Sequence, residues 1–328
     1  LVVAVKGLGG FQLWVDAISE AAVSRLRDRK RRPEKPFAVL FPSVEAVRDY
    51  CLLSSEEEVL LRSPQAPIVL ARKRRDTALA DAVAPGNPYL GVMLPTTPLH
   101  HLLMASLRTP IVATSGNRSE EPIVTDDREA LVRLKNIADA FLAHDRPIAR
   151  PVDDSVVSVV DGAPGRNDRG EAGKPKPEGM ILRRARGYVP QAIRWSDGLP
   201  DGARGSILAV GGHLKNTVAV LKEDRVVLSQ HLGDLSTVEA DRAFRQAVMD
   251  LQQLLQVMPL AIACDLHPDY RSTGFARELP STLSVPLVRN SGWTVTCWVS
   301  YGTGPGMEQT ARSGAENSWS RAIGSSRG

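Results

Sequence analysis

The stretch Lys30-Arg31-Arg32-Pro33-Glu34-Lys35-Pro36-Phe37-Ala38-Val39 joins the end of a predicted helix to the start of an apolar predicted strand. It holds four cations within six residues, directly before the apolar run. Positive charge at the mouth of a strand suits a ligand with several negative charges, such as a nucleotide phosphate or a nucleic-acid backbone. Taken alone, such a run is more often a solvated helix end, where Lys and Arg complement the helix dipole. Both interpretations stay open until the rest of the chain is considered.

Apolar runs and helical repeats alternate around this stretch. The predicted strands cover residues 1–5, 37–41, 68–71, 91–94, 111–114, 156–160 and 180–183, and residues 6–10 (KGLGG) form a glycine-rich turn. The predicted helices cover residues 19–32, 44–51, 98–107 and 128–141, and Ser19 can cap the first of them. Alternating strands and helices are typical of an α/β layer structure rather than of a bundle or a sandwich.

Two segments that offer little to bury divide the chain. Residues 161–179 are rich in Gly, Pro and charge, which is typical of a disordered surface insertion. Residues 196–205 form a second break, so we predict a first domain over residues 1–195 and a second over residues 196–289. The second domain begins with predicted strands at 207–210, 217–221 and 226–228, a helix at 240–257 and a strand at 260–265. This βββαβ order is a different architecture from that of the first domain.

The composition excludes several classes of protein. The chain has 328 residues, room enough for two domains, and its net charge of +4 does not demand a nucleic-acid partner. Its three cysteines lie far apart, which favours a reducing cytoplasm over a disulfide framework or a cysteine-rich zinc site. No apolar run approaches the roughly 20 residues that span a bilayer, so no membrane association is expected. The sequence opens inside a predicted strand without Met, and we expect an upstream portion to be missing.

Polar side chains collect at predicted strand ends in the first domain, where α/β sheets bind ligands. The candidates are Lys6, Lys30, Arg32, Thr114, Ser115, Asn117, Asp153, Asp154, Ser155, Arg183, Arg184 and Arg186. Lys and Arg would supply charge-assisted contacts to phosphate. Each candidate also has an ordinary alternative, because Ser-Gly-Asn sequences and paired Asp residues are common in turns. We find no nucleophile triad, no Walker A order, and no metal-ligand spacing around His100, His101 and His144.

The second domain has two candidate segments. Residues 211–217 (GGHLKNT) are predicted as a strand, a turn and a strand, in which Lys215, Asn216 and Thr217 could hold phosphate. Residues 265–270 (DLHPDY) end a buried strand with two carboxylates and an imidazole. A metal or acid–base role for Asp265 and a simple capped loop are both open interpretations.

Nine motifs then carry a resemblance. KGLGGFQL, LRDRKRRPEKPFAVL, LGVMLPTTPLHHLL, TSGNRSEEP, HDRPIARPVDDSV and ILRRARGYVP, in this order, resemble the YrdC-like domain of the hydrogenase-maturation carbamoyltransferases, the HypF family. AVGGHLKNTVAV, LSQHLGDL and CDLHPDYRST resemble the start of that family's C-terminal domain, an actin/Hsp70-like ATPase fold. The resemblance covers residues 1–289 and implies a twisted YrdC-like α/β domain followed by an incomplete actin/Hsp70-like half-domain.

The resemblance implies an enzyme that uses ATP, Mg²⁺ and carbamoyl phosphate. Its YrdC-like domain would form carbamoyl-adenylate, and its C-terminal domain would pass the carbamoyl group to the C-terminal cysteine of the partner protein HypE, for the cyanide ligand of nickel–iron hydrogenase. Lys30 and Arg32 would hold nucleotide phosphates, and the rest of the implied pocket would be Lys6, Thr114, Ser115, Asn117, Ser155 and Arg183. The alternatives are a module that binds double-stranded RNA and a nonfunctional pseudogene product.

The chain departs from the family pattern in three ways. It holds neither the acylphosphatase module nor the cysteine-rich zinc module of the family, so we do not expect these residues alone to generate carbamate or show full activity. Residues 161–179 enlarge a loop that the family keeps short. The family's VQHHHAH segment does not follow Arg289, so no metal site is expected there. A shifted reading of residues 301–317 resembles family sequence, and we interpret residues 290–328 as an out-of-frame, disordered tail.

Overall fold

A computed structural model of the chain describes residues 1–118, 121–159, 179–194, 206–283 and 287–290. The chain divides into two compact units, Leu1–Tyr188 and Val189–Gly328. This division falls before the break predicted at 196–205, because a short strand just ahead of that break pairs within the second unit. The predicted insertion at 161–179, the break and the predicted tail lie outside the described residues, except for Gly179 and Asn290.

The first unit is built on a mixed sheet. Its strands are β1 (Val3–Lys6), β2 (Phe11–Asp16), β3 (Ala38–Leu40), β4 (Cys51–Leu52), β5 (Ile68–Lys73), β6 (Tyr89–Met93), β7 (Ile111–Ser115), β8 (Ala140–Leu142), β9 (Val156–Ser158) and β10 (Met180–Arg183). Its helices are α1 (Glu20–Lys30), α2 (Val44–Arg48), α3 (Ser55–Leu61), α4 (Pro98–Leu107) and α5 (Asp127–Arg133). In the described residues the sheet order is β10-β9-β5-β6-β3-β7-β2-β1-β8, with β4 paired to β5. The predicted α/β alternation is confirmed.

Strand β2 is the main element that the sequence analysis does not predict. It lies between β1 and β7 and is antiparallel to both, so it joins the amino-terminal strand to the strand that ends at Ser115. Buried Phe11, Leu13 and Val15 face one side of the sheet, and Trp14 packs on the other. A strand buried on both faces lacks the apolar–polar alternation that marks a half-exposed strand, so periodicity does not reveal it.

Two predicted helices end at least three residues earlier than expected. The helix predicted at 128–141 ends at Arg133, and Ala140–Leu142 form β8, which runs parallel to β1. The backbone N–H of Val2 donates to the carboxylate of Asp139 (2.8 Å), which fixes the chain just before β8. Similarly, the helix predicted at 44–51 ends at Arg48, and Cys51 begins β4. In both places sheet pairing overrides local helix propensity.

Apolar side chains cover both faces of this sheet. The larger cluster includes Phe11, Leu26 and Phe41 and packs α1 and α2 against one face. The smaller cluster includes Val5, Trp14 and Met104 and packs α4 against the other. Because side chains alternate along a strand, Gln12 and its register partner Ser115 lie on the α4 face, at the rim of the smaller cluster.

The second unit has its own sheet. Its elements are β11 (Ile193–Arg194), β12 (Ser206–Ala209), β13 (Ala219–Lys222), β14 (Arg225–Leu228), α6 (Val238–Leu255), β15 (Ala261–Asp265), α7 (Arg271–Leu283) and β16 (Leu287–Asn290). The order is β11-β14-β13-β12-β15-β16, and β15 is parallel to β12 and β16. The predicted βββαβ order from β12 to β15 is therefore confirmed.

Helix α6 supplies much of the second core. Thr237 caps it by accepting from the backbone N–H of Ala240 (3.1 Å), and Phe244, Val248 and Leu251 are buried along one face. Phe244 meets Phe275 of α7 edge to face, with ring centroids 5.1 Å apart. Across both units, no helix in the described part of the chain is long and apolar enough to cross a bilayer.

Candidate functional site

The turn Ser115-Gly116-Asn117 follows β7 and is fixed to β2 by its backbone. The N–H of Gly116 donates to the carbonyl of Phe11 (2.6 Å), and the carbonyl of Gly116 accepts from Val124 (2.9 Å). A Cβ on Gly116 would lie 2.6 Å from the Phe11 carbonyl oxygen, so only glycine fits at this close approach. The turn therefore has one defined position at the end of β7.

Lys30, the last residue of α1, also contacts this turn. Its side chain is 4% exposed, and its ammonium donates to the carbonyls of Ser115 and Asn117 and to Asn117 Oδ1 (2.6 Å). Burial and, to a lesser extent, the neighbouring charge of Arg32 lower the pKa of Lys30 to about 7, and Asp153 opposes this shift. The Ser115 hydroxyl donates to the same Asn117 oxygen (2.9 Å). Lys30 thus holds the turn and places a buried charge behind it.

Arg32 lies beside the same turn. Its guanidinium donates to the backbone carbonyls of Lys35 (3.1 Å) and Pro36 and lies 3.4 Å from Thr114 Oγ1. Burial lowers the pKa of Arg32 to about 10, with further repulsion from Arg27 and Arg183. At neutral pH Arg32 therefore keeps its charge. The structure brings together five of the predicted residues: Lys30, Arg32, Thr114, Ser115 and Asn117.

A second group of polar side chains forms a hydrogen-bond network on the α4 face of the sheet. Arg186 forms an ion pair with Asp154 (2.7 Å), and Gln12 Nε2 donates to the other oxygen of that carboxylate (3.1 Å). The indole N–H of Trp14 donates to Gln12 Oε1 (3.2 Å), which fixes the orientation of the Gln12 amide. Arg183 donates to the Asp154 carbonyl (2.8 Å), so it joins this network. Gln12 is absent from the predicted site because it lies on β2, a strand that the sequence pattern does not predict.

Two predicted site residues have partners away from the turn. Lys6 is buried and binds the carboxylate of Asp127 (2.8 Å) and the carbonyl of His144 (2.9 Å). Ser155 is fully buried; its hydroxyl donates to the carbonyl of Arg186 (2.8 Å) and accepts from the N–H of Ala185 (2.8 Å). These contacts link distant segments of the unit, and the place of both residues in a ligand pocket stays a prediction.

In the second unit, residues 211–217 form a tight turn. Asn216 is fully buried, and its amide donates to the carbonyls of Val210 (2.9 Å) and Gly212. The N–H of Lys215 donates to Asp234 (2.7 Å). A Cβ on Gly211 would lie 2.4 Å from the carbonyl oxygen of Thr217, so the turn closes tightly on itself. The predicted phosphate contacts of Lys215, Asn216 and Thr217 stay predictions.

The segment after β15 lies next to this turn. Asp265 accepts from the N–H of His267 (2.8 Å), as expected for a capped loop. The ring of Tyr270 stacks near those of His267 (4.3 Å between centroids) and His213 (5.4 Å), so the two candidate segments meet. Among the described residues, no group of three or more His, Cys, Asp or Glu side chains is placed to hold a metal ion.

Comparison with known families gives two matches along the chain. Residues 1–167 match the Sua5/YciO/YrdC family, described as telomere recombination. Residues 202–290 match the HypF Kae1-like domain. The two matches fall on the first and the second unit, in the order predicted from the motifs.

Individual relatives agree with this pair of matches. The carbamoyltransferase HypF of Synechocystis is 48% identical over 283 residues, which cover 86% of this chain and 34% of the relative. HypF of Rhizobium leguminosarum is 41% identical over 294 residues, 88% of this chain and 35% of the relative. The chain thus spans about a third of the length of these curated relatives.

Two solved structures resemble this one. Full-length HypF in a phosphate- and nucleotide-bound form has a TM-score of 0.77 and 43% identity, covering 88% of this chain and 42% of that one. HypF of T. kodakarensis has a TM-score of 0.79 and 36% identity, covering 88% of this chain and 35% of that one.

Proposed function

The chain belongs to the HypF carbamoyltransferase family, with a YrdC-like first unit and a Kae1-like, actin/Hsp70-like second unit, and we propose that its first unit binds Mg²⁺–ATP and forms carbamoyl-adenylate. The observation that carries this proposal is the cluster at the Ser115-Gly116-Asn117 turn, where Arg32 and the protonated form of Lys30 add positive charge to hydroxyl and amide groups. A relative of 43% identity was solved with phosphate and nucleotide bound, which supports a nucleotide as the ligand.

In the proposed reaction an oxygen of carbamate attacks the α-phosphorus of ATP. The bond between that phosphorus and the oxygen bridging to the β-phosphate breaks, and pyrophosphate leaves with its electrons. Negative charge builds on the phosphoryl oxygens, so fixed cations stabilise the transition state and no protein nucleophile is required. Arg32, protonated at neutral pH, fits this role, and Mg²⁺ arrives as part of the substrate.

The later steps are proposed for the whole family protein. Carbamate would derive from carbamoyl phosphate, and the second unit would take part in transfer of the carbamoyl group to the C-terminal cysteine of HypE. This chain spans about a third of its relatives, so we expect it to bind ATP without carbamoylating HypE by itself. The turn at 211–217 and Asp265 are the candidate residues for the second unit's part in this transfer.

Isothermal titration of the full chain with Mg²⁺–ATP tests the proposal. We expect saturable binding by the wild type and a loss of about tenfold or more in affinity for R32Q, because a charge-assisted phosphate contact is removed. R25Q is the matched control: Arg25 is exposed on α1, the helix before the Arg32 loop, so this variant should bind ATP like the wild type. A folded wild type that does not bind ATP, but binds duplex RNA with a steep salt dependence, would replace this proposal with the RNA-binding alternative.

A further inference from the structure

Arg27 lies on α1, ahead of the loop that holds Arg32, and its guanidinium donates to five backbone carbonyls. The side chain is 7% exposed. Its Nη1 donates to the carbonyls of Arg32 (2.8 Å), Pro33 (3.1 Å) and Lys35 (3.3 Å), all in the loop after α1. Its Nε and Nη2 donate to the carbonyls of Ala82 and Val83 (3.2 Å). One side chain therefore joins the helix, the loop and a distant segment of the first unit.

The ring of Phe37 adds a second link between Arg27 and Arg32. The Arg27 guanidinium carbon lies 4.6 Å from the ring centroid and that of Arg32 lies 4.9 Å from it, so two cations share one aromatic ring. The backbone N–H of Phe37 donates to Val83 (2.9 Å), which ties the ring to the same distant segment. The position of Arg32 thus depends on groups that Arg27 also contacts.

Two neighbouring guanidinium groups repel each other, and this repulsion contributes to the lowered pKa of Arg32. Charge alone would therefore move the two side chains apart. The carbonyl dipoles around Arg27 offset its charge, and the planar guanidinium can bind several acceptors at once. Lys35 accepts from both Arg27 and Arg32, so the loop conformation and the direction of the Arg32 side chain are coupled.

We propose that Arg27 is a positioning residue for the phosphate site: it fixes the loop of residues 32–36 so that Arg32 faces the Ser115-Gly116-Asn117 turn before the ligand binds. The inference rests on the proposed function, since it names a residue that acts through Arg32 on ATP. Loss of Arg27 would leave the loop to be ordered during binding, and ordering a loop lowers affinity. It would also remove the Arg27 donor from the buried carbonyl of Ala82.

A double-mutant cycle separates positioning from a general structural role. The variants are R27Q, R32Q and the double variant, titrated with Mg²⁺–ATP in the full chain. If Arg27 acts through Arg32, R27Q weakens ATP binding by about tenfold, and the double variant binds ATP within about twofold of R32Q alone. If the two losses multiply instead, Arg27 does not act through Arg32 and the inference is wrong.

R29Q is the matched control for loss of a partly buried arginine on the same helix. Arg29 binds Asp139 (2.6 Å) and the carbonyl of Ile137 (3.0 Å), away from the loop, so R29Q should keep wild-type ATP affinity. R29Q weakening ATP binding as much as R27Q would also overturn the inference.

A conservative variant keeps the test usable if R27Q does not fold. R27K retains the charge but loses the planar fork, so it should fold and still bind ATP several-fold more weakly than the wild type. Wild-type affinity in a folded R27K or R27Q would overturn the inference while leaving the proposed function intact. Failure of the wild type itself to bind ATP would instead count against the proposed function.

Discussion

Lys30 and Arg32 both carry positive charge near the end of α1, but they contact different parts of the first unit. Lys30 directs its ammonium at three oxygens of the Ser115-Gly116-Asn117 turn, whereas Arg32 binds its own loop and lies beside Thr114. Lys30 therefore supports the turn, and Arg32 places a charged guanidinium beside Thr114. The two residues also respond differently to pH, because the pKa of Lys30 is lowered to about 7 and that of Arg32 only to about 10.

The pKa of Lys30 predicts that ATP affinity depends on pH. Because that pKa is lowered to about 7, the ammonium loses its proton as the pH rises through that value, and an anionic ligand then loses a favourable charge. We expect ATP affinity, measured by titration calorimetry, to fall as the pH rises from about 7 to about 9. K30R keeps its charge over this range, so its remaining affinity should stay flat. An equal decline in K30R would assign the titration to another group.

The lowered pKa of Lys30 also makes the stability of the folded chain depend on pH. An unfolded Lys keeps its proton to about pH 10.4, so between about pH 7 and that value the unfolded chain binds more protons than the folded one. This group therefore makes the folded state more stable as the pH rises through that window. ATP binding should therefore be strongest below the pKa of Lys30, whereas the contribution of Lys30 to stability should be greatest above it.

Residues at predicted element ends could be chosen from the sequence as candidates, and residues whose contacts lie far away in sequence could not. Lys30, Arg32, Thr114, Ser115 and Asn117 stand at predicted element ends, and the structure brings them together. Arg27 looks like one more cation of a helix end, because its partners at Ala82 and Val83 are far away in sequence. Gln12 is hidden in a strand that no periodicity marks, and its role depends on Asp154.

At the scale of elements, caps explain why helices begin where they do. Ser19 accepts from the N–H of Ala22 (3.3 Å) at the start of α1, as predicted, and Arg31 ends that helix in the left-handed region (φ 52°). The short helix α3 has a full capping box, in which Ser54 accepts from the N–H of Glu57 (3.2 Å) and the Glu57 side chain accepts from that of Ser54 (2.9 Å). The sequence pattern does not predict this helix, because its seven residues are too few to show a helical repeat.

The capping box gives a prediction for α3. S54A removes the acceptor for a first-turn N–H and should lower the free energy of unfolding of the first unit by about 1 kcal/mol. S54T keeps a hydroxyl at the same position and should lose less than half of that. Urea unfolding followed by circular dichroism measures both variants. Equal stability of S54A and the wild type would show that solvent replaces the cap without cost.

At the scale of the whole molecule, the order of the two units was predictable because each motif is local. The βββαβ order could be predicted from the strands and the helix between β12 and β15 alone, because the sequence marks each of these elements clearly. The division before Val189 was not predictable, since β11 is two residues long and, in the part of the chain that the structure describes, pairs with β14. β11 belongs to the second unit because it pairs with β14, a contact between residues that are distant in sequence.

All residues of the candidate ATP site lie in the first unit, and this predicts how a core defect in the second unit behaves. F244A removes a fully buried ring and should destabilise the second unit by about 3–5 kcal/mol. ATP affinity of the full chain, measured by titration at a temperature where the first unit is folded, should match the wild type. A parallel loss of ATP binding would show that the site requires the second unit.

Gly116 has a consequence for the genetics of this chain. Every amino acid that a missense change can place there carries a Cβ, and that atom would meet the Phe11 carbonyl at 2.6 Å. Synonymous changes at this codon leave the protein unaltered, so the codon separates harmless from harmful changes with few intermediates. In a mutational library selected for the activity of this site, codon 116 would serve as an internal standard for complete loss.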